Sequence, residues 1–393
     1  MQDIVIVSAA RTAVGDFGGA LKDLSPTDLG VETARAAIAR AGIEAPEVQQ
    51  AFYGNVIHTE PRDMYLSRTI ALGAGLAETA PALTVNRLCG SGLQAVISGI
   101  QALALGDAEI VMAGGAESMS RAGYMLPAAR WGQKMGDTAA IDMMTAALHD
   151  PFGHGHMGIT AENIAEAQGI PREAQDAFAA ESHRRAACAI DAGYFKDQII
   201  PITLKTRKGE TRFDIDEHVR GDATAESLAK LRPVFRKDGT VTAGNASGLN
   251  DGAASVILMT ADLAARKGLR PMARIRAYGH AGVDPRVMGM GPVPAMRVAL
   301  QRAGLNAGDL DVIESNEAFA AQACAVTAAL DLDPTKVNPN GGAVAIGHPI
   351  GASGAIILTK LVYELQRTGG GLGAATMCIG GGQGIALIVE GLA

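Results

Sequence analysis

A cysteine stands in the run Asn86-Arg87-Leu88-Cys89-Gly90-Ser91-Gly92, which follows a β-like stretch and opens a helix with apolar Leu93, Val96, Ile97 and Ile100. A helix N-terminus offers unsatisfied backbone N–H groups and the positive end of the helix dipole, and both favour a thiolate. The following glycines let a ligand or a second backbone approach closely. A small, inert cysteine at a tight turn fits the same position. His348 lies in a second glycine-rich turn, Gly347-His348-Pro349-Ile350-Gly351-Ala352-Ser353-Gly354, reached from Asn338-Pro339-Asn340-Gly341-Gly342 and leading into another apolar helix. A histidine that merely fills a core rarely needs so much backbone freedom around it. Cys378 ends a short strand before Ile379-Gly380-Gly381-Gly382-Gln383-Gly384, whose N–H groups could cradle an oxyanion or a phosphate. No lysine follows these glycines as it would in a Walker loop. Cys378 reads equally as a buried, inert thiol or a reactive one. Asn316, in Ser315-Asn316-Glu317-Ala318-Phe319, either caps the next helix or aims its amide into a site. A cysteine, an imidazole and a second cysteine in one cleft would support covalent catalysis by a thiol nucleophile.

Alternating strands and helices must position these residues. The first third reads as strands at 4–7, 51–56, 82–85 and 109–113 with helices at 27–41 and 92–105, an α/β pattern. Ser25 or Thr27 is the expected cap of the first helix and Gly42 its stop. The last third repeats the plan with strands at 273–281, 310–314 and 374–377 and helices at 293–303 and 354–365. Ala41-Gly42 and Ser91-Gly92 recur as Ala303-Gly304 and Ser353-Gly354 at one constant displacement, so the chain is expected to duplicate one α/β unit. Pseudo-twofold packing of the halves would bring the Cys89 and His348 turns together. Between the halves lies a stretch of different character, with the single tryptophan, most of the histidines and charge clusters at 205–210 and 218–220. It reads as an insertion with a helical part at 160–192 and polar loops. The expected division is an N-terminal half over 1–120 to which 251–270 returns, an inserted loop domain over 121–250, and a C-terminal half over 271–393.

Composition narrows the function. The chain has 393 residues, 48% hydrophobic and 19% charged, so it can bury a large core and is not expected to be disordered. A formal net charge of -7 lacks the footprint of a nucleic-acid-binding surface. No apolar run approaches the ~20 residues that cross a bilayer, and Met1-Gln2-Asp3 is not a basic signal-peptide start, so a soluble cytoplasmic protein without membrane contact is expected. The four cysteines show neither CxxC pairing nor metal-ligand spacing, so no metal and no disulfide framework is expected.

Together, Asn86 to Gly92, Asn316-Glu317-Ala318-Phe319, Gly347 to Gly351 and Cys378 to Gly382 resemble the thiolase family, specifically bacterial acetyl-CoA acetyltransferases and β-ketothiolases. The likeness extends to Ser8-Ala9-Ala10-Arg11-Thr12, Gly114 to Met119 and 242–252, and so covers essentially the whole chain. It implies a layered α-β-α-β-α core of two halves carrying an inserted loop domain. It also implies interconversion of 3-ketoacyl-CoA plus CoA with two acyl-CoA molecules, by a ping-pong route. Cys89 would carry the acyl group, His348 would activate it, and Cys378 would exchange the proton on the acetyl-CoA methyl carbon. Asn316, through a water, and His348 would hold the enolate oxygen, and the N–H groups of Cys89 and Gly380 the acyl-enzyme oxygen. Matching positions for CoA and the acyl group are Leu148, His156, Met157, Arg220, Phe235, Ala243, Ser247, Met288, Ala318 and Phe319. His156 and Arg220 would equally suit a solvated loop. The family needs no cofactor beyond CoA as substrate and product, and its tetramers are tied partly through the segment matching 118–143. The stretches at 61–65 and 124–131 are similar to β-ketothiolases of polyester-precursor synthesis. A ketoacyl synthase of the same fold would lack the second cysteine, a non-catalytic acyl-CoA or lipid carrier would have lost the reactive residues, and a cysteine hydrolase would need no CoA.

Overall fold

The computed structural model describes residues 3–206 and 209–392; Met1 and Gln2, and Arg207 and Lys208 of the charged run at 205–210, lie outside the described residues. Strand β1 (Ile4–Thr12) is buried along all nine residues, as a run without polar alternation requires. Helix α1 (Pro26–Ala41) is capped by Ser25, whose hydroxyl accepts the Asp28 N–H, and stops at Gly42 in the left-handed region (φ 67°). Strand β2 (Gln50–Gly54), helix α2 (Leu66–Gly73), strand β3 (Ala82–Val85), helix α3 (Ser91–Leu105) and strand β4 (Ile110–Ser118) complete the first run. The insertion holds α4 (Met157–Gln168), α5 (Arg172–Asp191) and short hairpins, and β5 (Asn250–Thr260) returns the chain to β4 and β1. The single helical stretch expected at 160–192 is thus two helices, because Gly169 turns left-handed (φ 63°) and Pro171 precedes the second. The second half runs β6 (Ala273–Gly282), α6 (Pro292–Ala303), β7 (Val312–Ser315), α7 (Ala320–Ala329), α8 (Ser353–Thr368), β8 (Gly371–Ile379) and β9 (Gln383–Gly391).

The principal strands lie in the order β7-β8-β9-β6-β1-β5-β4-β2-β3, and two short strands, Gly15–Asp16 and Ile199–Ile200, extend the set to eleven. Each half repeats one plan: β2 beside β4 parallel, then β5 and β1 antiparallel; β7 beside β8 parallel, then β9 and β6 antiparallel. The halves meet where β1 pairs with β6 at Val5–Arg274 and Ile6–Ala273. Helices α1 and α2 cover one outer face, α6 the other, and α3 and α8 lie between the halves, touching strands of both. The arrangement is the layered α/β architecture of two like halves.

Two glycines set how closely α3 and α8 approach. A Cβ on Gly92 would lie 2.8 Å from the Ala355 nitrogen, and one on Gly354 would lie 2.3 Å from the Leu93 nitrogen. The two contacts are reciprocal, each glycine meeting the residue after its counterpart in the other half. The window Leu88–Leu105 is long and apolar enough by composition to cross a membrane, contrary to the expectation that no stretch approaches this. Here it is the central helix, with Leu93, Val96, Ile97, Ile100 and Leu103 in the main core.

Candidate active site

The Cys89 turn is held from within. The Arg87 N–H donates to Ser91 Oγ (2.8 Å), the Ser91 hydroxyl donates to the Leu88 carbonyl (2.6 Å), and the Leu88 N–H donates to Asn86 Oδ1 (3.0 Å). Leu88 takes a left-handed conformation (φ 46°), uncommon for a side chain of its size, and the chain bends sharply there. Cys89 follows it, half-buried, with the backbone N–H groups of Gly380 and of Cys89 itself facing its sulfur. The thiolate expected from the helix start is not the resting form. Burial pushes the thiol up to about 11, the Gly380 N–H offsets only part of this, and the nearby Glu117 carboxylate adds to it.

His348 is buried, and its protonation pattern follows from its partners. Ser353 Oγ lies 2.6 Å from Nδ1 and 2.9 Å from the Pro349 carbonyl. A carbonyl only accepts, so the serine proton goes to Pro349 and Nδ1 must be the donor. Nε2 then carries the free lone pair; it has no protein partner and the residue lines the main cleft. Burial lowers the imidazole to about 4, so it is neutral and ready to accept a proton. The turn is anchored where the His348 N–H donates to Asn250 Oδ1 (2.8 Å). Gly347 is at φ 112°, and a Cβ there would reach 2.5 Å from Asn250 Cγ.

Cys378 is buried at the end of β8, among Met157, Ala161, Met288 and Phe319. Burial and the neighbouring Cys89 both push its thiol well above the ordinary range. Cys89, His348 and Cys378 all line one cleft of about 460 Å³. Such a set can pass a proton from thiol to imidazole, hold a carbonyl oxygen on paired N–H groups, and exchange a second proton at Cys378.

The same cleft is lined by Leu148, His156, Met157, Phe235, Ala243, Ser247, Met288, Ala318 and Phe319. His156 stacks on Phe235 at 4.7 Å, and Phe235 meets Phe319 edge-on at 6.2 Å, forming an aromatic wall. The Gly158 N–H donates to His156 Nδ1 (3.0 Å), so this imidazole caps α4 and carries its proton on Nε2. A Cβ on Gly158 would sit 2.3 Å from the Phe235 ring, so the wall depends on that glycine.

Three residues singled out in the sequence stand elsewhere. Arg220 is outside the lining, half-exposed and paired with Asp16 at 3.1 Å. Asn316 is buried beside a much smaller cavity with Gly347 and Ser353, and neither atom of its amide has a protein partner. Gly380 reaches the site only through its N–H on Cys89. Sequence reasoning passed over Ser353 and Asn250 as partners of His348, though both lie within segments it had marked. It also passed over His218, Thr242 and Leu249 in the cleft wall.

The family model described as "Thiolase, N-terminal domain" matches residues 4–262, and "Thiolase, C-terminal domain" matches residues 269–391. The chain is 61% identical over 390 residues to "Beta-ketothiolase BktB" of Cupriavidus necator, covering 99% of each chain. Its structure superposes on that of the Bacillus anthracis acetyl-CoA acetyltransferase with a TM-score of 0.97 at 48% identity, covering 100% of this chain and 99% of that one. It superposes equally on a human mitochondrial 3-ketoacyl-CoA thiolase in complex with CoA, with a TM-score of 0.96 at 45% identity and coverage of 100% and 98%. With matching family models spanning both halves, the chain belongs to the thiolase family.

Proposed function

We propose that this chain is an acetyl-CoA acetyltransferase of the β-ketothiolase kind, joining two short acyl-CoA molecules into a 3-ketoacyl-CoA plus CoA and reversing that reaction. The observation that carries this reading is the convergence of Cys89, His348 and Cys378 on one cleft, with the Gly380 N–H on the Cys89 sulfur. In synthesis, His348 Nε2 takes the Cys89 proton as the sulfur attacks the thioester carbonyl of acetyl-CoA. The N–H groups of Cys89 and Gly380 hold the oxyanion, and the CoA thiolate leaves with the proton of Cys378, which turns Cys378 into the base for the next step. Cys378 then removes a proton from the methyl carbon of a second acetyl-CoA. His348 and the Asn316 amide, the latter through a water, stabilise the enolate oxygen, and the carbanion takes the acetyl group from Cys89, whose released thiolate recovers its proton from His348. In cleavage the steps run backwards, with Cys378 protonating the departing carbon.

The halves supply the reacting groups, and the insertion over 121–250 supplies most of the CoA-binding wall. Arg220 faces the nucleotide end, and Ser247 bonds a pantetheine amide. Met157 and Met288, both buried, bound the acyl end and favour short chains. CoA is substrate and product, and no other cofactor is required. The enzyme works in the cytoplasm as a tetramer. The hairpin Tyr124–Met125 with Ile141–Asp142 supports that assembly, since beside it Trp131 and Met135 are 86% and 89% exposed, a cost that cover by another copy would remove. Loss of acetoacetyl-CoA, followed by its enolate absorbance with and without CoA, tests the activity. Cleavage that strictly requires CoA is expected. Consumption without CoA would make the protein a hydrolase, and a comparison with 3-ketovaleryl-CoA measures the chain-length preference.

A further inference from the structure

Glu117 is the penultimate residue of β4, is fully buried, and does not line the cleft. Its carboxylate accepts four N–H donors, two on each oxygen. Asn55 Nδ2 (3.0 Å) and the Ile57 N–H (3.1 Å) reach Oε1, and the N–H groups of Val56 (3.0 Å) and Gly351 (2.8 Å) reach Oε2. Three donors belong to the loop after β2 in the first half. The fourth belongs to the turn that carries His348 in the second.

A carboxylic acid would have to point its own O–H among these donors, so the set selects the ionised form. Burial works against it, pushing the group up to about 8 with Asp63 adding to the rise, and among the described residues no cation pairs with it. A buried charge held only by N–H dipoles is costly and calls for a compensating role. Local sterics favour the same contact. A Cβ on Gly351 would lie 2.3 Å from Glu117 Oε2 and 2.9 Å from Asn55 Cα, so only glycine lets that turn reach the carboxylate. The loop it ties down places Ile57 against Ile350 and Met119, the cluster on which Cys89 packs.

We propose that Glu117 is a positioning residue for acyl transfer: its ionised carboxylate pins the His348 turn of one half to the Cys89 side of the other. The same charge disfavours the Cys89 thiolate, so the titration of that thiol reports whether the carboxylate is ionised. The groups that share this field with Glu117 are Cys89 across the site and Asp63 behind the carboxylate.

This inference rests on Cys89 and His348 acting as proposed above. Its test needs no substrate in its first arm: the pH midpoint of Cys89 alkylation by iodoacetamide, read by peptide mapping, in the unmodified chain, Glu117→Gln and Glu117→Asp. The Gln variant is expected to lower the midpoint by about one pH unit and kcat by about 100-fold through misplacement of His348, with KM little changed. The Asp variant keeps the charge, so it should keep the midpoint and recover part of kcat. An unmoved midpoint in Glu117→Gln, or turnover equal to the unmodified chain, overturns the proposal. Should Glu117→Gln fail to fold, Gly351→Ala carries the test. It displaces the turn without removing the charge, so kcat should fall with the midpoint unchanged, and full turnover would overturn the clamp. An unmodified chain without CoA-dependent cleavage would instead refute the proposed function, whatever the midpoints are.

Discussion

The Cys89 turn and the His348 turn occupy equivalent places in the two halves, each leading into a central helix, yet they are built to opposite ends. The first bends through Leu88 in a left-handed conformation and leaves its thiol half-open to the cleft. The second buries its imidazole and fixes it with Ser353 and Asn250. Gly351 stands where Cys89 stands in the other half and has no room for a side chain, because Glu117 fills that space. Duplication supplies two apposed helix starts, and burial and hydrogen bonding then make one a half-open thiol and the other a buried, fixed imidazole.

The comparison breaks most severely when the reacting groups are removed. Cys89→Ala should reduce CoA-dependent cleavage of acetoacetyl-CoA to background, since no acyl-enzyme can form. Cys378→Ser should lower condensation by about 10²- to 10⁴-fold while acetyl-CoA still labels Cys89, as the intact mass of the acetylated chain would register.

The two turns should also differ in how pH acts on them. His348 is lowered from 6.5 to about 4, so between these values the unfolded chain takes up a proton that the folded chain does not. Its contribution is complete above pH 6.5 and is lost toward pH 4, a destabilisation of about 3 kcal/mol. The difference in urea midpoint between the unmodified chain and His348→Gln, followed over that window, measures it. Cys89 behaves oppositely: raised to about 11, it costs stability only as pH climbs above 9, where the unfolded thiol ionises first.

Smaller effects sharpen the symmetry itself. Gly92→Ala and Gly354→Ala should each destabilise by about 1–3 kcal/mol in urea unfolding, because each drives a methyl group into the other half's helix start. A cost confined to one of them would show that the halves do not share the contact equally. The mildest change is Ser353→Ala, expected to lower kcat by about 10-fold with KM unchanged as the imidazole loses the partner that sets its tautomer.

Much of the architecture was legible because its signals are local. The Ser25 cap, the Gly42 stop and the recurrence of Ser91-Gly92 as Ser353-Gly354 state two like halves before any contact is known. The glycine-rich turns likewise single out Cys89, His348 and Cys378, although for both cysteines the same turns suit an inert thiol equally well. What stayed hidden depends on three-dimensional surroundings. The strand Gln383–Gly391 was not separated from the glycine loop before it, because a continuous apolar run carries no period to read. The resting state of Cys89 could not be read from its helix start, because Glu117 and the burying walls come from other segments. Arg220 on Asp16, and Asn316 beside its own small cavity, are likewise pairings across the fold that no local pattern announces.

The central claim is that Cys89 receives the acyl group and passes it to CoA. Incubating the Cys378→Ser variant with acetyl-CoA and mapping its peptides by mass spectrometry tests this most directly. One acetyl group on the peptide containing Cys89, removed when free CoA is added, is the result expected; a stable adduct on another residue, or none on Cys89 in a folded protein, would contradict the account.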